Sequence, residues 1–157
     1  MVGLHVLALV AFAGLLVWAA IEDMRRRIIE NWICLSVAGL YPVFLLTGPT
    51  LPNWPISIAI AVATLSVGFL LFTGNLMGGG DAKLMAAVAL WAGQGLFLMF
   101  LFVMTIAGGV LAIAMLLRQR FAPALATGKT ETSPTLPYGV AITIGGLVVA
   151  FGLFSGR

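Results

Sequence analysis

The chain has 157 residues, of which 62% are hydrophobic and only 8% are charged. This composition excludes a soluble globular domain, whose surface would need far more polar residues, and it indicates one integral membrane domain spanning residues 1–157. The net charge of +3 does not indicate nucleic-acid binding, because most of the positive charge lies in short segments between apolar runs, where it sets membrane topology.

Apolar runs separated by charged residues, proline and glycine predict an all-α, polytopic bundle of about six transmembrane helices. The predicted helices cover residues 2–21, 32–47, 56–74, 82–92, 95–117 and 138–155. The second and fourth are shorter than the roughly 20 residues that cross a bilayer, so they must recruit flanking residues. Only Gly93-Gln94-Gly95 divides the fourth helix from the fifth, and we expect a tight turn there.

The basic residues predict the orientation of the bundle. Alternating the helices across the membrane places seven of the eight basic residues on one side: Arg25, Arg26, Arg27, Lys83, Arg118, Arg120 and Lys129. That side should be cytoplasmic, so both termini should lie outside the cytoplasm. The uncharged loop from Gly48 to Pro55 then faces outward, and the polar segment from Gln119 to Pro137 forms a cytoplasmic loop.

His5 and Cys34 do not indicate a site. A lone histidine near a chain end is expected to be solvated at the membrane interface. A single cysteine cannot form an intrachain disulfide or a four-ligand zinc site. We therefore expect Cys34 to be a small residue that faces the lipid or the core.

The run Gly78-Gly79-Gly80-Asp81 is the most informative feature of the chain. A charged side chain at membrane depth costs roughly 3 kcal/mol or more, so a carboxylate between two apolar segments indicates a function. Three residues without Cβ let an extended peptide approach the backbone closely, and Asp81 is expected to cap the following helix. A plain helix start is the simpler alternative. Lys83 either biases Asp81 toward ionisation or contacts phospholipid headgroups.

Asp23 is the best partner for Asp81, because both are predicted at the cytoplasmic edge of the bundle. Its segment also contains Glu22, Glu30 and three arginines, so a topological anchor with local ion pairs is an alternative. Neighbouring helical residues point in different directions, so at most one of Glu22 and Asp23 faces the interior. Two carboxyl groups at close range share one proton. One can then activate water while the other polarises a peptide carbonyl, and no metal is required.

Three ordered motifs resemble the type IV prepilin peptidases, most closely the short CpaA or TadV form of tight-adherence (Flp) pilus systems. Asp23 followed by Asn31 resembles the first-aspartate segment of that family. The run from Gly78 to Lys83 resembles its glycine-x-glycine-Asp-x-Lys signature. Pro137-Tyr138-Gly139 resembles the segment that opens its last helix.

The resemblance implies an intramembrane aspartic endopeptidase of the bacterial inner membrane, with Asp23 and Asp81 as the catalytic pair and no cofactor. Its substrates would be prepilins or pseudopilins, whose short basic leader is cut after a glycine at the cytoplasmic face while the apolar helix stays in the membrane. Membrane lipid is the other implied partner. The supporting motif residues would be Asn31, Gly78, Gly79, Gly80, Lys83, Pro137, Tyr138 and Gly139.

The chain departs from this family in two places. Glu30 stands where the family commonly has proline, which removes a backbone constraint from the loop. The amino-terminal domain with paired cysteines that long-form members carry is not expected, so neither methyltransfer nor structural zinc is predicted.

Two other functions are compatible with the same residues. Paired carboxylates in a bundle also relay protons, as in a proton-coupled transporter. Glycine-bearing helices alone would suit a non-catalytic pilus-assembly subunit. The transporter is disfavoured because the acids lie at predicted helix ends and the helices have little polar lining.

Overall fold

A computed structural model describes residues 2–48, 53–121 and 137–156, and these residues form helices and no strands. The helices are α1 (Val2–Arg26), α2 (Asn31–Thr47), α3 (Trp54–Thr73), α4 (Gly79–Phe121) and α5 (Tyr138–Ser155). All except α2, which has 17 residues, are long and apolar enough to cross a membrane. The prediction of an all-α membrane bundle is confirmed.

The predicted count of six helices is not confirmed, because the fourth and fifth form the single element α4. The break expected within Gly93-Gln94-Gly95 is nevertheless present. The backbone of Gly93 leaves helical geometry there, with φ 51° and ψ −162°. This is a conformation that residues with a Cβ rarely adopt.

The contacts of α5 show what the break at Gly93 does to the path of the chain. A Cβ built on Gly146 would lie 3.3 Å from Val88, and one built on Gly145 would lie 2.9 Å from Phe100. In an unbroken helix Val88 and Phe100 would be about 18 Å apart, too far to contact adjacent residues. The chain therefore reverses direction at Gly93, and α4 consists of an N-terminal arm (79–92) and a C-terminal arm (94–121).

The N-terminal arm of α4 lies at the centre of the bundle. Its Leu84 and Val88 are fully buried, and the Nε1–H of Trp91 donates to the carbonyl of Val37 in α2 at 2.8 Å. On the other side of the core, the hydroxyl of Thr143 in α5 donates to the carbonyl of Leu16 in α1 at 2.8 Å. These buried hydrogen bonds fix α2 and α5 beside the helices that carry the site.

The outer helices present apolar side chains to the surroundings. Phe69 of α3 and Leu98 and Phe102 of the C-terminal arm are exposed. In a soluble protein such a surface would drive aggregation, whereas a bilayer solvates it. The exposed surface therefore agrees with a multi-pass membrane protein.

The structure corrects one prediction and confirms another. His5 is buried rather than solvated. Its Nδ1 donates to the carbonyl of Phe44 at 3.3 Å, and the two rings stack with centroids 4.5 Å apart. The prediction was wrong because the packing of α1 against α2 places His5 on Phe44, a residue 39 positions away that the local sequence does not reveal as its partner. Cys34 is buried, as expected.

Part of the predicted topology lies outside the described residues. This part comprises residues 49–52 of the predicted loop from Gly48 to Pro55, and residues 122–136, including Lys129, of the predicted loop from Gln119 to Pro137.

Candidate active site

Asp23 lies in the last turn of α1, which continues past the predicted end at residue 21 to Arg26. Its side chain is only 4% exposed. The N–H of Arg27 donates to the main-chain carbonyl of Asp23 at 3.0 Å, and Arg27 adopts φ 55°. This left-handed residue ends the helix and turns the chain back past Asp23.

The first turn of α5 holds the Asp23 carboxylate from the opposite side. The N–H of Gly139 donates to Asp23 Oδ2 at 2.9 Å. A Cβ built on Gly139 would lie 2.8 Å from the same oxygen and 2.9 Å from Asp23 Cγ, so only glycine allows this approach. The amides of a helix N-terminus lack helical partners and carry a partial positive charge, which favours a bound carboxylate.

The third motif therefore contributes a main-chain amide to the site. Pro137 is the N-cap residue of α5, and Tyr138 is its first residue. Proline suits the start of a helix because it has no N–H to satisfy. Sequence analysis named Gly139 as a supporting residue but did not identify it as the donor to Asp23.

Asp81 lies in the first turn of α4, which begins at Gly79, so it is not the N-cap residue that was expected. As the third residue of the helix, it instead reaches back and accepts a hydrogen bond from the backbone of Gly78, as acidic residues at this position do in a capping box. Its Oδ1 is buried and has no hydrogen-bond partner among the described residues. A buried carboxylate oxygen in that state is costly unless a proton, water or ligand reaches it.

The three glycines of the run pack closely against Ile29 and Phe72 as well as against Asp81. A Cβ on Gly78 would lie 2.7 Å from Asp81 Oδ2, and one on Gly80 would lie 3.0 Å from both the Cβ and the carbonyl oxygen of Ile29. A Cβ on Gly79 would lie 3.3 Å from the ring of Phe72. The absence of side chains thus lets the loop after α1 pack directly on the start of α4.

Asp23 and Asp81 line the same cavity, which has a volume of about 190 Å³. Their carboxyl groups are close enough for their charges to interact. The rest of the lining comes from residues 27–29 and 78–80. The structure therefore brings together the two carboxyl groups that the sequence singled out.

The other acidic residues of this region do not line that cavity. Glu30 is exposed, lies 3.9 Å from the guanidinium of Arg26, and accepts a hydrogen bond from the Nε1–H of Trp32. Glu22, next to Asp23 in α1, lies outside the cavity too; its Oε2 is buried and, like Asp81 Oδ1, has no hydrogen-bond partner among the described residues.

Asn31 and Lys83 meet beside the aspartates. Lys83 Nζ donates to Asn31 Oδ1 at 2.7 Å, and both side chains are exposed. Neither residue lines the cavity that holds Asp23 and Asp81. The sequence named both residues, but it did not predict that they bind each other across α2 and α4.

Sequence comparison matches residues 10–113, well over half of the chain, to the type IV leader peptidase family. The chain belongs to that family. Both aspartates of this leader peptidase lie inside the matched residues, whereas Gly139 lies beyond them and is joined to the site by its hydrogen bond to Asp23. Membership makes the protein a membrane-embedded peptidase. No curated protein and no solved structure matches the chain.

Proposed function

We propose that this leader peptidase is an aspartic endopeptidase that removes the basic leader of Flp-type prepilins. Family membership supports leader cleavage. The aspartic mechanism rests on one observation above all: the carboxyl groups of buried Asp23 and half-buried Asp81, which come from helices far apart in the chain, line one small cavity.

The proposed reaction needs only the two carboxyl groups and water. The pair shares one proton, so the ionised member takes a proton from water while the protonated member polarises the scissile carbonyl. The water oxygen bonds to the carbonyl carbon, the C–N bond then breaks, and a proton passes to the leaving nitrogen. Base and acid are properties of the coupled pair, so neither role belongs to one aspartate alone.

The surroundings of the two carboxyl groups suit this reaction. The Gly139 amide fixes the orientation of Asp23, which keeps the group in place through the reaction. The Oδ1 of Asp81 has no partner among the described residues, so it is the oxygen best placed to bind the water or the carbonyl. The run Gly78–Gly80 lines the cavity and would let an extended peptide lie close to the backbone.

Charge supports a cytoplasmic location for the site in the bacterial inner membrane. Arg25, Arg26, Arg27 and Lys83 all lie at the end of the bundle that carries the aspartates. Under the positive-inside rule this end faces the cytoplasm, and both termini face away from it. Because a basic leader would be repelled by these arginines, we assign them to topology and headgroup contact rather than to leader binding.

Co-expression with a prepilin that carries a basic leader tests the proposal. Asp23→Asn and Asp81→Asn should each reduce processing by about a thousandfold or more, because each removes one half of the proton-sharing pair. The loss of the leader is followed by gel shift. Thermal unfolding in detergent would confirm that both variants fold.

Glu30→Gln is the matched control, because it neutralises an exposed acid near the site that does not line the cavity. It should process the substrate at the wild-type rate. Wild-type processing by either asparagine variant would rule out the aspartic mechanism and would favour a scaffold role.

A further inference from the structure

A second cavity, of about 430 Å³, opens between α2, α3 and the N-terminal arm of α4. Four alanines contribute to its lining, namely Ala38, Ala61, Ala86 and Ala87, and larger apolar side chains also contribute, namely Leu35, Val62, Leu65 and Leu90. Asn31 and Lys83 line it as well. We call this cavity the alanine groove.

We propose that the alanine groove holds the apolar helix of the substrate, the segment that follows the scissile bond. This inference rests on the proposed function and adds to it the surface that presents the substrate to the aspartates. The occupant is an apolar transmembrane helix rather than a lipid acyl chain, for the two reasons given next.

The first reason is the size of the lining residues. Between helices in a membrane, association depends on close packing rather than on the hydrophobic effect, and small residues allow backbones to approach closely. Each of the three helices contributes at least one alanine to the groove, and at those positions a substrate backbone can approach closely. A flexible acyl chain needs no such lining.

The second reason is the position of the groove relative to the aspartates. The Sγ of Cys34, which lines the groove, lies 3.8 Å from the carbonyl oxygen of Gly80, which lines the aspartate cavity. Asp81 of α4 lines the aspartate cavity, and Lys83, two residues later in the same helix, lines the alanine groove. A peptide that leaves the aspartates therefore enters the groove over Gly80.

Lys83 and Asn31 provide the polar contacts that this path requires. An ammonium group has three donors, and the bond to Asn31 uses one of them. The others can donate to peptide carbonyls between the scissile bond and the first turn of the substrate helix, whose backbone groups have no helical partners.

Cross-linking tests the location directly. The probe is a single-span test substrate with a basic leader, a glycine before the cleavage site and a leucine-rich helix that carries one cysteine at successive positions. The peptidase carries Asp81→Asn to retain the substrate, Cys34→Ala to remove its only cysteine, and either Ala61→Cys or Ala63→Cys. Ala61 lines the groove, whereas Ala63 is exposed on the same helix and does not.

We expect disulfides from position 61 to one face of the substrate helix, recurring every three or four residues, and few from position 63. Equal cross-linking from both positions, without that period, would overturn the proposal and leave the groove to lipid.

A steric test uses the same pair of positions in an otherwise unchanged peptidase. Ala61→Leu puts a larger side chain into the groove and should raise the KM for the test substrate about tenfold, which corresponds to about 1.4 kcal/mol, while Ala63→Leu leaves it unchanged. Unchanged processing by Ala61→Leu would count against the groove. If Ala61→Leu unfolds, the cross-linking pattern decides.

The two proposals fail in different ways. Cross-linking probes the apolar helix, which stays in the membrane whether or not the leader is cut, so a periodic pattern from position 61 would stand even if the asparagine variants proved active. Conversely, loss of cleavage in those variants together with uniform cross-linking would retain the aspartic mechanism and reject the groove.

Discussion

The two ends of the bundle each enclose a cavity, but they are built from different chemistry. From His5 to Asp23, α1 rises about 27 Å, so the cavity beside His5 and the cavity beside Asp23 lie at opposite ends. The first, which we call the turn cavity because Gly93 lines it, has a volume of about 310 Å³, compared with about 190 Å³ at the aspartates. Among the described residues, those that line the turn cavity include no aspartate, glutamate, lysine or arginine.

Polar groups are also satisfied differently at the two ends. Around the turn cavity, His5 and Trp91 donate to main-chain carbonyls and stack against other rings, which ties helices together. At the aspartates the main chain donates instead, through the amide of Gly139. Each end has a buried polar atom with no partner among the described residues, but it is a carboxylate oxygen of Asp81 at one end and the hydroxyl of Tyr41 at the other. Charge held in place but incompletely bonded, rather than cavity size, distinguishes the end that we propose as the catalytic one.

The sharpest test of this contrast is Gly139→Ala. The added Cβ would lie 2.8–2.9 Å from the Asp23 carboxyl group, so the carboxylate must move and its bond to the amide must lengthen. We expect kcat for leader cleavage to fall about a hundredfold, which corresponds to about 2.7 kcal/mol in the activation barrier. The rate of single-turnover cleavage in detergent measures this fall.

Gly109→Ala is the matched control for that change, because a Cβ built on Gly109 meets nothing within 4 Å. It should cleave at the wild-type rate. An unchanged rate in Gly139→Ala would show that the amide is not needed to position Asp23.

At the other end, Gly93→Ala should affect stability rather than catalysis. The residue has φ 51°, and its Cβ would lie 2.9 Å from Ser57 Oγ, so alanine would be strained at the chain reversal. We expect a loss of about 1–3 kcal/mol in the free energy of unfolding, with cleavage per folded molecule retained. Thermal unfolding measures the stability, and active-site titration gives the cleavage rate per folded molecule.

Gly95→Ala, two residues further on, has open space for its Cβ and should change neither quantity. A Gly93→Ala variant as stable as wild type would mean that the reversal does not depend on this backbone conformation.

The smallest effect is expected at the exposed bond between Lys83 and Asn31. Exposed polar pairs contribute about 1 kcal/mol or less, so Lys83→Gln should lower the free energy of unfolding by no more than that. A double-mutant cycle with Asn31→Ala measures the coupling between the two side chains. A coupling well above 1 kcal/mol would show that this pair fastens α2 to α4 and is more than a surface contact.

The helices and the two aspartates could be predicted from the sequence, because apolar runs and isolated carboxylates are local signals. Helix ends were less accurate. Hydropathy marks the part of a helix that contacts lipid, whereas α1 continues to Arg26 and α4 begins at Gly79 through backbone hydrogen bonding that hydropathy does not record.

Contacts between distant residues could not be predicted. The amide of Gly139 and the carboxylate of Asp23 are 116 residues apart, and the Lys83–Asn31 pair is 52 residues apart. Nothing in the local sequence encodes either pairing; both depend on how the helices pack. The burial of His5 was missed for the same reason.

The hydrogen bond from Gly139 has a practical consequence for protein engineering. A shortened version ending at residue 113 would keep all the residues matched by the family comparison, including both acids, yet it would lack the amide that orients one of them. Such a fragment could still insert into a bilayer and would be classified correctly by its sequence. We would nevertheless expect it to be inert, so minimal versions of this enzyme should retain α5.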